Sequence, residues 1–254
     1  MSSTDRRTWL LLLLLFGARL AGPAPALGDA APSLSAIAGS YYEGDGAIIR
    51  RILEIRPNGT FEYEMEMGPL RAEAKGTASV AGRTLVLAPK TEKGEGTPVP
   101  RRLAIVPWGP RLYLVPEDGM LEFANMVNDG FEPRKDARGF SGYLRDEDWD
   151  KPVTGLPDLP AAHKPLLFPK PIEGKVSRKL DKPLQFEIDF GSGKGLKPGM
   201  KLTAVAKELE SFDCSVTVVS TTETSSVVQG DEYCKGLPPG ARICSRRMFC
   251  HGLE

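Results

Sequence analysis

The sequence predicts a mostly β protein, built of two small antiparallel β domains with one short helix and a proline-rich connector between them. Several stretches alternate apolar and polar residues with a period of two, which is typical of half-buried strands. The 254 residues include 27 Gly and 22 Pro, and this content favours many turns over long helices. Six prolines between positions 152 and 171 favour an extended, semi-rigid segment, so we expect a domain boundary there.

The first 28 residues are predicted to be a secretory signal peptide. Arg6 and Arg7 precede an apolar run over 9–16, and the segment ends in Ala26-Leu27-Gly28. This order of charged, apolar and small residues is typical of a signal peptide, whereas a membrane-spanning helix needs about 20 apolar residues. We expect cleavage after Gly28, a secreted or periplasmic location, and no transmembrane segment in the mature chain.

The charge balance argues against one class of partner. The chain contains 33 Lys and Arg and 33 Asp and Glu. A nucleic-acid-binding domain usually carries a basic surplus that displaces counterions from the phosphates. We therefore expect no nucleic-acid partner.

Changes in composition divide the chain into five predicted segments. A domain typically spans about 100 to 200 residues, so the length allows one large or two small domains, and we predict two. The segments are a signal peptide (1–28), an antiparallel β-meander domain (29–116), a helix with a charged loop (117–151), the proline-rich connector (152–171) and a small β-barrel stapled by disulfides (172–254).

Hairpins are predicted throughout the first domain. Strands over 47–55 and 61–67 flank Pro57-Asn58-Gly59-Thr60, and Asn-Gly tolerates the positive φ angles of a tight turn. The alternation in 61–67 places aromatic and Met side chains on one face and three glutamates on the other. Two further hairpins are predicted, pairing 71–80 with 84–88 and 103–106 with 112–115.

A short helix is predicted over 119–128, where apolar residues recur at helical spacing and Asn128 or Gly130 closes the helix. Basic and acidic residues are mixed in the stretch that follows, up to Asp150. Such a mixture is typical of a solvated face, so we expect a charged loop there.

The second domain is predicted to be a small barrel that contains all four cysteines. Short strands alternate with glycine-rich connections, among them Gly191 to Met200. An even number of cysteines in an exported chain favours disulfides, and the sequence leaves their pairing open. The cysteines are Cys214, Cys234, Cys244 and Cys250.

Two turn motifs resemble those of exported bacterial envelope proteins. The loop Gly191-Ser192-Gly193-Lys194-Gly195-Leu196-Lys197-Pro198-Gly199-Met200, with Gly174-Lys175-Val176 before it, is similar to small β-barrel modules of envelope and flagellar-assembly proteins. That resemblance implies an assembly or interaction unit without catalysis. The motifs Gly39-Ser40-Tyr41-Tyr42-Glu43-Gly44-Asp45-Gly46 and Pro57-Asn58-Gly59-Thr60-Phe61 resemble lipocalin-like and copper-resistance-lipoprotein-like barrels, which implies a lipocalin-like first domain.

No catalytic or cofactor-binding pattern stands out, so we expect no catalytic residues, no cofactor and no metal. The two histidines lie in the connector (His163) and near the end of the chain (His251), and such segments rarely fix a catalytic base. Two alternatives stay open. Carboxylates within 117–150 would suit a secreted hydrolase, and cysteines with His251 would suit a metal, although their spacing matches no zinc ribbon or finger.

The sequence is therefore interpreted as an exported, non-enzymatic binding or assembly protein of the bacterial cell envelope. Its partner is expected to be an envelope protein or a small ligand. We place the candidate binding surface between the two domains, where polar and aromatic groups are Asn125, Asn128, Arg134 and Trp149. A purely structural envelope spacer is a further alternative, suggested by the connector.

Overall fold

The computed structural model describes residues 31–45, 48–95, 98–132, 142–206 and 214–252. The predicted signal peptide and Arg134 lie outside these ranges. Within them the fold is mostly β, with two closed barrels that are antiparallel throughout, as predicted. This architecture is compatible with a lipocalin-like barrel followed by a small barrel module.

The first barrel has eight strands, each paired with the next, and its last strand pairs with both the seventh and the first. A short helix α1 (Leu34–Ile37) precedes it and places Ile37 in the barrel core. The strands are β1 (Gly39–Gly44), β2 (Ile49–Ile55), β3 (Thr60–Met67), β4 (Leu70–Ala81), β5 (Thr84–Gly94), β6 (Arg102–Trp108), β7 (Arg111–Pro116) and β8 (Tyr143–Arg145).

Period-two alternation decides which side chains fill this barrel. Tyr41 lies opposite Leu53, Leu53 opposite Tyr63, and Tyr63 opposite Ala74, and all four side chains are buried in one core. The three glutamates of β3 point the other way. The predicted turn between β2 and β3 is confirmed, with Gly59 at φ +82°.

Strand β8 is where the structure differs from the expected charged loop. It is three residues long, and its Leu144 pairs with Tyr42 of β1 and with Tyr113 of β7. A strand this short gives little periodic signal, and its partner β1 is remote in sequence. Closure of the barrel therefore depends on pairing that local patterns do not predict.

The predicted helix is confirmed as α2 (Met120–Asn128), preceded by a 3-10 turn over Glu117–Gly119. It packs against the outer face of β6 and β7, where Trp108, Tyr113 and Phe123 form successive ring contacts. The outer face of the barrel is thus apolar here and is covered by the helix.

The proline-rich connector lies along the outside of the first barrel. The Asp158 amide donates to Pro107 O at 2.8 Å, and Trp108 Nε1 donates to Gly155 O at 3.1 Å. The carboxylate of Asp158 also pairs with Arg83, and Leu159 is fully buried. Short 3-10 turns at Asp146–Asp148 and Lys164–Leu166 flank this stretch.

The second barrel has six strands in the order β10-β13-β12-β11-β14-β9. Its core contains Phe186, Met200 and Val216. Among the described residues, no helix is long and apolar enough to cross a membrane. The remaining elements are β9 (Glu173–Lys179), β10 (Gln185–Ile188), β11 (Lys201–Val205), β12 (Cys214–Thr221), β13 (Ser226–Gly230), β14 (Arg242–Cys244) and α3 (Arg247–Cys250), with 3-10 turns at Ser192–Lys194 and Glu232–Cys234.

Candidate ligand-binding site

A cavity opens beside β5, where the first barrel is incompletely paired. Strands β5 and β6 pair from Thr84–Val86 to Arg102–Ala104, and the last bond between them runs from the Leu87 amide to Arg101 O. Beyond that point β5 continues along β4, while Val99 inserts its side chain into the barrel core. A cavity of about 270 Å³ remains, and the residues that line it are Tyr63, Ala72, Glu73, Ala74, Glu92, Lys93, Gly94, Pro98 and Val99.

Small residues on β4 leave the space that this cavity occupies. Ala72 and Ala74 lie on the inward face of β4, and they border the cavity together with Tyr63. Two residues further along, a side chain on Gly76 would lie 2.2 Å from Ala88 O, so the strands approach too closely there for any larger residue. The cavity is therefore built by a run of small inward residues next to one aromatic ring.

An ion pair lies inside the same barrel. Glu43 on β1 and Arg51 on β2 are directly opposite each other, and Arg51 Nη1 donates to Glu43 Oε2 at 2.9 Å. The side chains are 5% and 18% exposed, because they share the inward face with Tyr41 and Leu53. Burial opposes the charge of Arg51, yet the neighbouring Glu43 carboxylate raises the pKa of the guanidinium.

Two buried polar atoms beside this ion pair have no hydrogen-bond partner: Tyr63 Oη and Arg51 Nε. Burial raises the pKa of Tyr63, while the nearby Tyr143 hydroxyl and the Arg51 charge oppose the rise. Burial also raises the pKa of Tyr143 well above its usual value, and Glu43 adds to that effect. We call Glu43, Arg51, Tyr63 and Tyr143 the polar cluster.

The polar cluster adjoins the cavity through Tyr63, which is 2% exposed and lines it. Buried donors and acceptors are almost always paired, so an unpaired hydroxyl on a side chain that borders a cavity marks a candidate site. The cavity itself has small apolar residues on its inner side and the charged residues Glu73, Glu92 and Lys93 on its exposed side. This arrangement suits a molecule with both an apolar and a polar part.

Two residues of the predicted surface between the domains, Asn125 and Asn128, lie on α2. Their side chains form hydrogen bonds with backbone groups. Asn125 Nδ2 donates to Gly199 O at 3.1 Å, and its Oδ1 accepts the Lys201 amide at 3.1 Å. Asn128 bonds Leu166 O and the Phe168 amide of the connector in the same way. These contacts attach the glycine-rich loop and the connector to the helix.

Trp149 is partly buried against the apolar cluster beneath α2. The structure thus brings Asn125 and Asn128 together on one helix, and Asn125 also borders a groove of about 150 Å³ with Phe131 and Thr203. A ligand-binding role for these residues stays a prediction.

Several described carboxylates within 117–150 are held in ion pairs, among them Glu117, Glu132 and Asp148. Burial alone would raise the pKa of Asp148, but hydrogen bonds from Lys151, Arg145 and the Leu112 amide lower it. Hydrogen bonds from Arg102 likewise lower the pKa of Glu117. A general acid requires the opposite shift, so these two groups do not supply the chemistry that the hydrolase alternative needs.

All four cysteines are disulfide-bonded, which confirms the predicted staple. The structure pairs Cys214 with Cys234 and Cys244 with Cys250. The Asp231 carboxylate lies 3.3 Å from Cys234 Sγ, but sulfurs joined in a disulfide are not the thiolates that a metal site requires.

Sequence analysis missed the polar cluster, although one signal for it was present. Arg51 is separated by two and four positions from Leu53 and Ile55 on a predicted strand, so alternation places it on the same face as they are. Glu43 is likewise two positions from Tyr41 and shares its face. A charged residue on the apolar face of a strand is unusual and marks a candidate site.

Comparison of the chain with protein-family models, curated proteins and solved structures found no match.

Proposed function

We propose that this protein is an exported, non-enzymatic binding protein whose first barrel holds a small amphipathic molecule. One observation carries the proposal: where β5 separates from β6, a cavity of about 270 Å³ is bordered by Tyr63 and by the small residues Ala72 and Ala74. Ligand pockets combine apolar walls with a few polar groups, and here Ala72, Ala74 and Val99 supply the apolar wall while Glu73, Glu92 and Lys93 supply charged groups.

We also propose that the protein works in the bacterial cell envelope or outside the cell. The signal-like first 28 residues support export. The two disulfides support an oxidising compartment, since thiols are kept reduced in the cytosol. A binding role fits better than catalysis at Glu117 and Asp148, because hydrogen bonds and ion pairs lower the pKa of both carboxyl groups, whereas a general acid needs a raised pKa.

A cavity-filling substitution with a matched control tests the proposal. Ala74→Trp places a large ring in the cavity, whereas Ala88→Trp makes the same change on the exposed face of β5. The ligands are octyl-chain amphiphiles with neutral, anionic and cationic head groups, and ligand-detected NMR measures their binding. We expect at least one of them to bind, with loss of binding only in Ala74→Trp.

Two outcomes contradict the proposal. Either no amphiphile binds the wild-type chain, or Ala74→Trp binds as well as Ala88→Trp does. Thermal unfolding of both variants shows that each is folded before binding is compared.

A further inference from the structure

We infer that the cavity beside β5 receives a side chain of an extended peptide, whose backbone pairs with the open edge of β5 as an additional antiparallel strand. The inference rests on the proposed binding function and names the ligand class, which is a peptide segment. Strand addition at an exposed sheet edge is a recurring mode of peptide recognition. Backbone hydrogen bonds supply the affinity in that mode, and pockets for alternate side chains supply the specificity.

A proline ends the pairing of β5 with β6. Successive residues of an antiparallel strand direct their backbone N–H and C=O groups to the two neighbouring strands in turn. The Leu87 amide points to the β6 side and donates to Arg101 O at 2.9 Å. The next residue that points this way is Pro89, which has no N–H. Because that donor is missing, β5 continues with β4 as its only partner strand in the described part of the chain.

Past the proline, two residues of β5 present unpaired backbone groups at this edge. Lys90 has no partner on β4, so the register shifts there by one residue. The Glu95 amide donates to Arg71 O at 2.8 Å, which fixes the alternation after the shift. Glu92 and Gly94 therefore direct their N–H and C=O groups away from β4. Both residues are exposed, and within the described ranges no second strand pairs with them on that side.

The cavity lies where a side chain of an added strand would point. Directly opposed residues of neighbouring strands point to the same face of a sheet. Gly94 lies opposite Ala72 and Glu92 opposite Ala74, and both alanines border the cavity. A peptide residue paired with Gly94 continues this row, so its side chain points toward the cavity. Gly94 itself has no side chain that could occupy the space.

The size and charge of the cavity suit an uncharged peptide with one apolar side chain of moderate size. An apolar cavity of about 150 Å³ can hold benzene. The cavity of about 270 Å³ beside β5 therefore has room for a leucine side chain, which has fewer carbon atoms than benzene. The charged residues around it are matched, because Glu92 pairs with Arg101 at 2.6 Å and Glu73 lies opposite Lys93.

The first experiment uses the peptide acetyl-Thr-Leu-Thr-Ala-Thr-amide and ligand-detected NMR. With its Leu paired to Gly94, its Ala is paired to Glu92, and both peptide residues exchange hydrogen bonds with β5. Methylation of the Leu nitrogen removes one donor to β5 and should weaken binding by about fivefold, the value of one net hydrogen bond. Methylation of the central Thr nitrogen is the control and should leave the affinity unchanged, because that N–H points away from β5.

A pair of protein variants tests the same hydrogen bonds from the side of β5. Glu92→Pro removes an N–H that points away from β4, so no hydrogen bond between β4 and β5 is lost. Glu92→Ala keeps this N–H, and both variants lose the ion pair with Arg101. The peptide affinity should fall by about fivefold in Glu92→Pro and stay at the wild-type value in Glu92→Ala.

The outcomes separate this inference from the proposed function. If the octyl-chain amphiphiles bind and the peptide does not, strand addition is wrong while the proposed function stands. If neither binds, the proposed function fails as well. Equal affinity of the two methylated peptides also overturns strand addition, and this comparison on the wild-type protein decides alone should Glu92→Pro fail to fold in a thermal unfolding test.

Discussion

The polar cluster predicts opposite stability changes for one substitution at two buried tyrosines. Tyr63 and Tyr41 lie in the same barrel core, with exposures of 2% and 0%. Tyr41 Oη donates to Ile37 O at 2.7 Å, whereas Tyr63 Oη has no partner. Replacing either by Phe removes only the hydroxyl, so the difference between the two variants isolates the hydrogen bond.

The magnitudes follow from the cost of unmet polar groups. A buried, unsatisfied polar group is unfavourable by about 1 to 3 kcal/mol, so Tyr63→Phe should raise the free energy of unfolding by about 1 kcal/mol after the small loss of packing. A satisfied hydrogen bond contributes about 1 kcal/mol, so Tyr41→Phe should lower it by that amount. For a chain of this size each change corresponds to a shift of about 2 to 4 °C in Tm.

Thermal and urea unfolding of the ligand-free variants measure both values. The reasoning is refuted if Tyr63→Phe destabilises the protein as much as Tyr41→Phe does, because the Tyr63 hydroxyl would then have a partner.

Three further predictions concern the rest of the fold. Replacing the Cys214–Cys234 bridge by Ala should destabilise the chain by about 3 kcal/mol and replacing Cys244–Cys250 by about 2 kcal/mol, because their sequence separations are 20 and 6; urea unfolding would contradict this if the order were reversed. Asn125→Ala should cost about 1 to 2 kcal/mol by removing partners from two backbone groups, whereas Glu122→Gln, which breaks an exposed ion pair, should cost less than about 0.5 kcal/mol in the same assay. The lowered pKa of Asp148 means that its contribution to stability is complete above the ordinary carboxyl pKa of about 3.9 and is lost as pH falls from there through the folded-state pKa. Asp148→Asn should remove that part of the acid dependence, and an unchanged stability profile between about pH 5 and pH 2 would contradict it.

Much of the first barrel was predictable because its signals are local. The alternation from Phe61 to Met67 and the Asn58-Gly59 turn predict a hairpin and its buried face, and the structure confirms both. The α2 helix was equally visible from its apolar spacing. Closure by β8 was not, because three residues give no usable period and their partners lie on β1 and β7.

The candidate site was less predictable than the fold, since it depends on register. Arg50 and Arg51 are adjacent and chemically identical. Successive residues of a strand point to opposite faces, and the register of β2 places Arg51 inside and Arg50 outside. That Glu43 lies directly opposite Arg51 follows from the register between β1 and β2, which composition does not reveal. The cavity further requires that β5 and β6 separate after Leu87, a feature of the whole barrel.

The measurement that tests the central claim most directly is NMR of the protein with isotope-labelled tyrosines, titrated with the octyl-chain amphiphiles. We predict a saturable shift of the Tyr63 resonance, assigned through Tyr63→Phe, while exposed Tyr233 on the second barrel stays unchanged. Saturable binding that leaves the Tyr63 resonance in place would contradict a ligand site in the first barrel.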